Sequence, residues 1–162
     1  MSRTERLSLR PALSSDIDLL LRVYASTREH ELSLVPWSEA DKHAFVRWQF
    51  EAQHLHYHRF YAGADYSIIL DHGRPAGRLY VHRRDDEVRV IDITLLPEYR
   101  GSGIGSTLLL LLKQEAHAVG KPLTIHVEHD NPALRLYSRL GFQRVSDDGV
   151  YLLMACYPQG SS

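Results

Sequence analysis

The chain is short of the features that would place it in a specialised class. Cysteine occurs once, at Cys156, which excludes an intrachain disulfide and any zinc site of the multi-cysteine kind. An excess of one charge is also missing. Nineteen basic and 20 acidic residues leave a formal charge of -1, so no global field gathers nucleic acid or an anionic membrane, and a polyanion must be held locally. No run approaches the ~18 consecutive apolar residues of a membrane span. The opening "MSRTERLSLRPAL" has no apolar core of signal-peptide length, and a cytoplasmic, reducing location is expected. Lysine is scarce, present only as Lys42, Lys113 and Lys121, a compositional bias that carries no mechanism.

What is present is ordinary globular material. At 162 residues, 44% apolar and 24% charged, with no repeat, low-complexity segment or linker, a single domain over 1–162 is expected. Residues 6–12 alternate like a strand. Ser15 with Asp18 reads as a capping box before a helix that buries Ile17, Leu20, Leu21 and Tyr24. Ser38 opens a second long helix, running to about Tyr61, with Phe45, Trp48, Ala52 and Leu55 along one face. Three strands follow, "YSIIL", "AGRLYVHR" and "EVRVIDITLL", the first two joined through Gly73 and Pro75.

A helix is expected from about Gly103 to Val119, closed by Gly120, and then the strand "LTIHVE". Asn131 and Pro132 look like the start of a last helix with Ala133, Leu134, Tyr137 and Leu140 inward, ended by Gly141, before a hairpin around "SDDG". The strands flanking the Gly103 helix form a crossover and should be parallel, while the hairpins demand antiparallel neighbours. The expected fold class is α/β (α+β), a mixed, mostly antiparallel sheet with a central parallel pair and helices on both faces.

One stretch is out of the ordinary. "PEYRGSGIGSTLLLLLK" puts Gly101, Gly103 and Gly105 directly between a strand and a leucine-rich helix. Glycines let backbone approach a ligand, and the first N–H groups of a helix lack internal partners, so together they form an anion site. Ser102, Ser106 and Thr107 add hydroxyls and Arg100 a cation. A P-loop is excluded because no lysine follows Gly105, and a dinucleotide fingerprint because the glycines are spaced two and two behind three antiparallel strands.

The same stretch resembles the acyl-CoA-binding motif of the GNAT superfamily of N-acetyltransferases, Arg or Gln, two residues, Gly, one residue, Gly or Ala, filled here by Arg100, Gly103 and Gly105. The block "NPALRLYSRLGF" resembles that superfamily's other signature, with Asn131, Tyr137 and the Gly141–Phe142 pair in place. The resemblance is most specific over Asp92 to Phe142. It implies that the central parallel strands splay and that acetyl-CoA lies in the gap. Its pyrophosphate would rest on the backbone of Arg100, Gly101, Ser102, Gly103, Ile104, Gly105 and Ser106, with Asn131 also among the coenzyme-binding residues.

By the same resemblance the Leu95 N–H holds the acetyl carbonyl and Tyr137 protonates the coenzyme sulfur. His126 stands where some relatives that acetylate protein N-termini carry a glutamate base. Asp92, Glu128 and water share that role as alternatives. The implied function is direct acetyl transfer from acetyl-CoA to a primary amine of a small molecule or peptide, with a non-catalytic acyl-CoA-binding or sensing protein as the rival. Arg28, Glu29, Glu31 and Trp37 lie where acceptor specificity usually arises in this family, and they identify no acceptor. No metal is expected: His54 and His58 share a helix face without a third ligand signalled. No nucleic-acid or membrane partner is expected, and the oligomeric state, including a homodimer, stays open.

Overall fold

The computed structural model describes residues 6–159, so the first five and last three residues of the expected domain lie outside it. Strand β1 (Leu7–Pro11) leads through a 3-10 turn into helix α1 (Ile17–Ser26), followed by α2 (Glu29–Ser33) and α3 (Glu39–Phe60). Strands β2 (Asp65–Asp71), β3 (Arg74–Arg83) and β4 (Val88–Leu95) come next. Then follow α4 (Ile104–Ala118), β5 (Leu123–Glu128), α5 (Leu134–Arg139), β6 (Gln143–Asp147) and β7 (Tyr151–Cys156). The seven strands form one sheet in the order β1-β2-β3-β4-β5-β7-β6. Only β4 and β5 run parallel. No helix among the described residues is long and apolar enough to cross a membrane.

Local chemistry explains most boundaries. His72 and Gly73 both hold positive φ, 50° and 77°, the pair of left-handed residues that a two-residue hairpin with native twist requires. Ser38 Oγ accepts the Asp41 N–H at 3.1 Å and starts α3 as expected. At α1 the expected box is displaced by two residues, from Ser15 and Asp18 to Leu13 and Asp16. The Asp16 carboxylate takes the Leu13 N–H at 2.8 Å and is gripped by Arg10 at 2.7 and 2.8 Å, so Asp16 rather than Ser15 organises the turn. Ile17 is then exposed, and Leu20, Val23 and Tyr24 form the buried face. Asn131 Oδ1 caps the Ala133 N–H at 2.8 Å, but the helix proper begins only at Leu134. Two of the three lysines serve the frame: Lys113 Nζ donates to the Leu140 carbonyl and Lys121 Nζ to that of Arg84, both at 2.9 Å.

Two cores fill the two faces of the sheet. On one, Leu108, Leu109, Leu112 and Ala116 of α4 pack on Val90, Leu123, Ile125 and Val127, with Tyr137 and Phe142 beside them. On the other, Leu20, Tyr24, Val46 and Phe50 pack on Ile68 and Tyr80. Here the expected face of α3 is wrong. Trp48 and Leu55 are 66% and 70% exposed, while Val46 and Phe50 turn inward. The cause is the polarity of the sheet below. Gln53 receives the Arg78 guanidinium at 2.9 Å, and Tyr57 lies against Asp92 and Tyr80, so α3 must present amide and phenol groups as well as apolar ones. The short helix α2 was not anticipated; its segment reads as connection, with no residue buried.

The parallel ladder is brief. Val88, Arg89 and Val90 face Leu123, Thr124 and Ile125, and the pairing stops there. A register shift follows at once, leaving Ile91 without a partner in β3. Such a bulge bends its strand and increases the local twist. Beyond it β4 continues with β3 as far as Leu95, and β5 continues with β7 as far as Glu128, so the two strands diverge into a V.

At the tip of β4 the backbones are close. A Cβ on Gly77 would collide with the Thr94 carbonyl oxygen and lie 2.9 Å from the Leu95 Cα. Gly77→Ala is therefore expected to lower stability by about 1–3 kcal/mol, the range for overpacking a filled interior, read as a shift in the urea midpoint at unchanged slope.

Candidate active site

The Leu96 N–H donates to the Ala76 carbonyl at 2.8 Å and so points toward β3. Alternation along a strand sends the Leu95 N–H the opposite way, into the V. The chain then makes a 3-10 turn at Pro97–Tyr99 and enters the glycine loop. Gly101 and Gly103 adopt φ of 74° and 85°, a left-handed geometry that side chains resist. The N–H groups of Tyr99 and Arg100 bond to Leu96 and Pro97, and that of Thr107 to Gly103. Between them, the N–H groups of Gly101 through Ser106 have no acceptor among the described residues. Successive free donors at the start of a 15-residue helix form a cradle for an anion.

The side chains of the loop behave differently from the backbone. Ser102 Oγ donates to the Tyr99 carbonyl at 2.8 Å and Thr107 Oγ1 to that of Gly103 at 2.9 Å, which leaves Ser106 as the one unengaged hydroxyl of the three. The Arg100 guanidinium turns back, donating to the Leu95 carbonyl at 3.0 Å and to Ser26 Oγ at 3.2 Å. It braces the end of β4 against α1. Asn131 is occupied in the turn before α5, which carries Tyr137.

Tyr137 has a buried ring, edge-on to Phe142 at 5.8 Å. Its hydroxyl makes no hydrogen bond among the described residues, yet it is not among the sealed, unpartnered atoms of the interior. Burial, with the Asp92 charge adding to it, pushes the phenol up to about 12, so it stays protonated at neutral pH. His126 lies one residue past the last β4–β5 pair and is exposed. Burial of part of the ring and the nearby Arg89 hold its imidazole below the ordinary value, so the neutral form prevails near pH 7. Its charged neighbours are Arg89, Glu87 and Arg84, at the root of the V, and Asp148 of the β6–β7 turn, a different set from the Asp92 that Tyr137 senses. Glu128 lies further along the same face of β5, within the field of Arg28.

Sequence reasoning missed the polar centre beneath the V. Arg78, 2% exposed, donates to Asp92 Oδ2 at 2.5 Å and to Gln53 Oε1, beneath the rings of Tyr24 and Tyr80. Thr94 Oγ1 donates to the other Asp92 oxygen at 2.6 Å, and Tyr57 approaches Oδ2 at 3.5 Å. Both Asp92 oxygens are therefore engaged. The available signal was an arginine flanked by Gly77, Leu79 and Tyr80, well inside a strand whose other arginines, Arg74 and Arg83, stand at its two ends. His54 and His58 lie 4.4 Å apart with their rings tilted by 59°, and His58 stacks on Tyr66 at 4.3 Å.

Residues 23–142 match the sequence model of the acetyltransferase (GNAT) family. A comparison with curated proteins finds no match. Among solved structures the chain is similar to the PaiA N-acetyltransferase from Thermoplasma acidophilum in complex with coenzyme A, at a TM-score of 0.69 and 19% identity over 97% of this chain and 99% of that one. It is similar to an acetyltransferase from Thermus thermophilus, at 0.63 and 21% over 93% and 96%. It is also similar to a ribosomal-protein alanine N-acetyltransferase from Escherichia coli, at 0.59 and 20% over 96% of both chains. At these identities the likeness is one of fold.

The Arg78–Asp92 pair has an effect that can be measured without any ligand. Arg78→Met strands a mostly buried carboxylate and is expected to cost about 3–5 kcal/mol in urea unfolding, part of which Asp92→Asn on the same chain should recover.

Proposed function

The chain belongs to the GNAT acetyltransferase family, and on that premise we propose that it moves an acetyl group from acetyl-CoA directly to a primary amine of a small molecule or peptide. The observation that carries this reading is Tyr137: a phenol kept protonated, buried up to its oxygen, with that oxygen unpartnered. A protein that only held coenzyme would have no use for an acid there.

The cradle from Gly101 to Ser106 receives the pyrophosphate, and the pantetheine arm follows the V between β4 and β5. The amine attacks the thioester carbonyl carbon, forming the C–N bond while the carbonyl oxygen gains charge. The Leu95 N–H, directed into the V, donates to that oxygen. The C–S bond then breaks, and the departing sulfur takes its proton from Tyr137. The proton lost by the amine passes to His126, directly or through water. Asp92 is poorly suited to receive it because both its oxygens already accept hydrogen bonds. Its charge instead adds to the burial that keeps Tyr137 in the acid form.

The first test follows free thiol released from acetyl-CoA with a panel of amines. Tyr137→Phe should lower kcat by about 10²-fold with little change in acetyl-CoA affinity, the scale of losing a general acid. Turnover that survives unchanged, with chemistry limiting, would reduce Tyr137 to packing. Failure of every amine alongside intact coenzyme binding would favour a sensor.

The second test concerns pH. A base works when deprotonated, and lowering its pKa extends the working range toward acid. The acid limb of kcat/KM should therefore fall below the ~6.5 of a free imidazole, and His126→Gln should remove it. Two amines of different pKa separate the limb from the acceptor's own ionisation. A limb that follows the amine and survives the substitution excludes His126.

A further inference from the structure

Helix α3 carries two stripes that could be buried, and the fold uses one. On the sheet side lie Val46 and Phe50. On the opposite side Asp41, Phe45, Trp48, Ala52, Leu55 and Arg59 follow one another at steps of four, three, four, three and four residues. Those are the steps of a coiled-coil seam, a regularity that a face turned to water does not need. Trp48 and Leu55 are 66% and 70% exposed. Trp37 meets Phe45 edge-on at 5.2 Å, and Phe45 stands 6.2 Å from Trp48, so the aromatic end of the seam is already ordered.

The seam complements itself when reversed. About a two-fold axis level with Phe50, an antiparallel copy pairs Asp41 with Arg59, Phe45 with Leu55, and Trp48 with Ala52. Opposite charges meet at both ends, and the largest side chain of the seam faces the smallest. A parallel copy would set Trp48 on Trp48, Asp41 on Asp41 and Arg59 on Arg59. Antiparallel packing also brings the acidic first turn, Glu39 and Asp41, beside the basic last turn, His58 and Arg59, of the other helix. Glu51 at the flank would approach its own copy, one like-charge contact against two favourable ones. At 1.5 Å per residue the 22-residue helix offers a seam of about 33 Å.

We propose that the outer face of α3 is the interface of a homodimer in which a second copy of this chain packs antiparallel, with Trp48 of each copy seated on Ala52 of the other and Asp41 opposite Arg59. The proposal is independent of the catalytic reading.

The test is sedimentation equilibrium on the full chain. The expected mass is twice the monomer's 18.6 kDa, and Trp48→Glu should reduce it to the monomer while leaving the circular dichroism spectrum unchanged. Asp41→Arg and Arg59→Asp should each weaken association by about tenfold, and the two together should restore it, because the exchanged charges again face opposites. A chain that remains monomeric to its solubility limit overturns the proposal, as does a dimer that survives Trp48→Glu. Failure of the double exchange to restore association overturns the antiparallel register. A monomer whose Trp48→Glu variant loses turnover on peptides but keeps it on small amines would assign the seam to a peptide acceptor instead.

Discussion

The parallel ladder between β4 and β5 is three residue pairs long, and its length sets the conditions for everything around it. Buried backbone donors and acceptors need partners, so two strands in the middle of a sheet do not part without a cause or a replacement. The cause is local: the unpaired Ile91 directly after Val90 turns β4 away with β3, while β5 stays with β7. The replacement, under the proposed function, is the coenzyme. The V frees the Leu95 N–H from any pairing with β5 and leads the end of β4 into the loop before α4, and under the proposed mechanism Tyr137 serves the gap from α5. A ladder two pairs longer would close the groove and leave the glycine loop as a simple connection.

Beneath that opening sits a charge where a core is usually apolar. Arg78 and Asp92 hold β3 to β4 at the level where β4 is losing its other neighbour, with Gln53, Tyr57 and Thr94 completing the arrangement. A buried pair of this kind is weak evidence for stability, since the cost of drying both ions offsets much of their attraction. Its value lies in specificity of arrangement. It dictates which face of α3 turns inward, it fixes the Asp92 charge, and that charge helps keep the Tyr137 phenol protonated.

How much was legible follows from how local each determinant is. The order of the strands and of every helix but the short α2, the parallel pair, the β2–β3 turn, the limits of β5 and the loop before α4 were readable, because alternation, glycine and N-terminal helix chemistry act within a few residues. The inward face of α3 was not. Counting apolar residues selects Phe45, Trp48, Ala52 and Leu55, whereas the answer depended on Arg78 and Asp92, distant in sequence and polar. The shift of the capping box from Ser15 and Asp18 to Leu13 and Asp16 had a similar origin, since Arg10 on the preceding strand grips the Asp16 carboxylate. For the site, resemblance supplied roles for Leu95, the glycine loop and Tyr137. The turned-back Arg100 and the engaged oxygens of Asp92 required coordinates.

The scarcity of lysine gains a meaning from where the lysines are. Lys113 and Lys121 donate to backbone carbonyls, and Lys42 pairs with Glu39 at 3.6 Å. Each of these nitrogens is held by an oxygen of the fold and is not free to reach a bound thioester. Arginine, which carries the remaining positive charge, stays protonated at any physiological pH. The side chains of the described residues therefore present few amines that would compete for an activated thioester, and a chain so composed is poorly disposed to acylate itself.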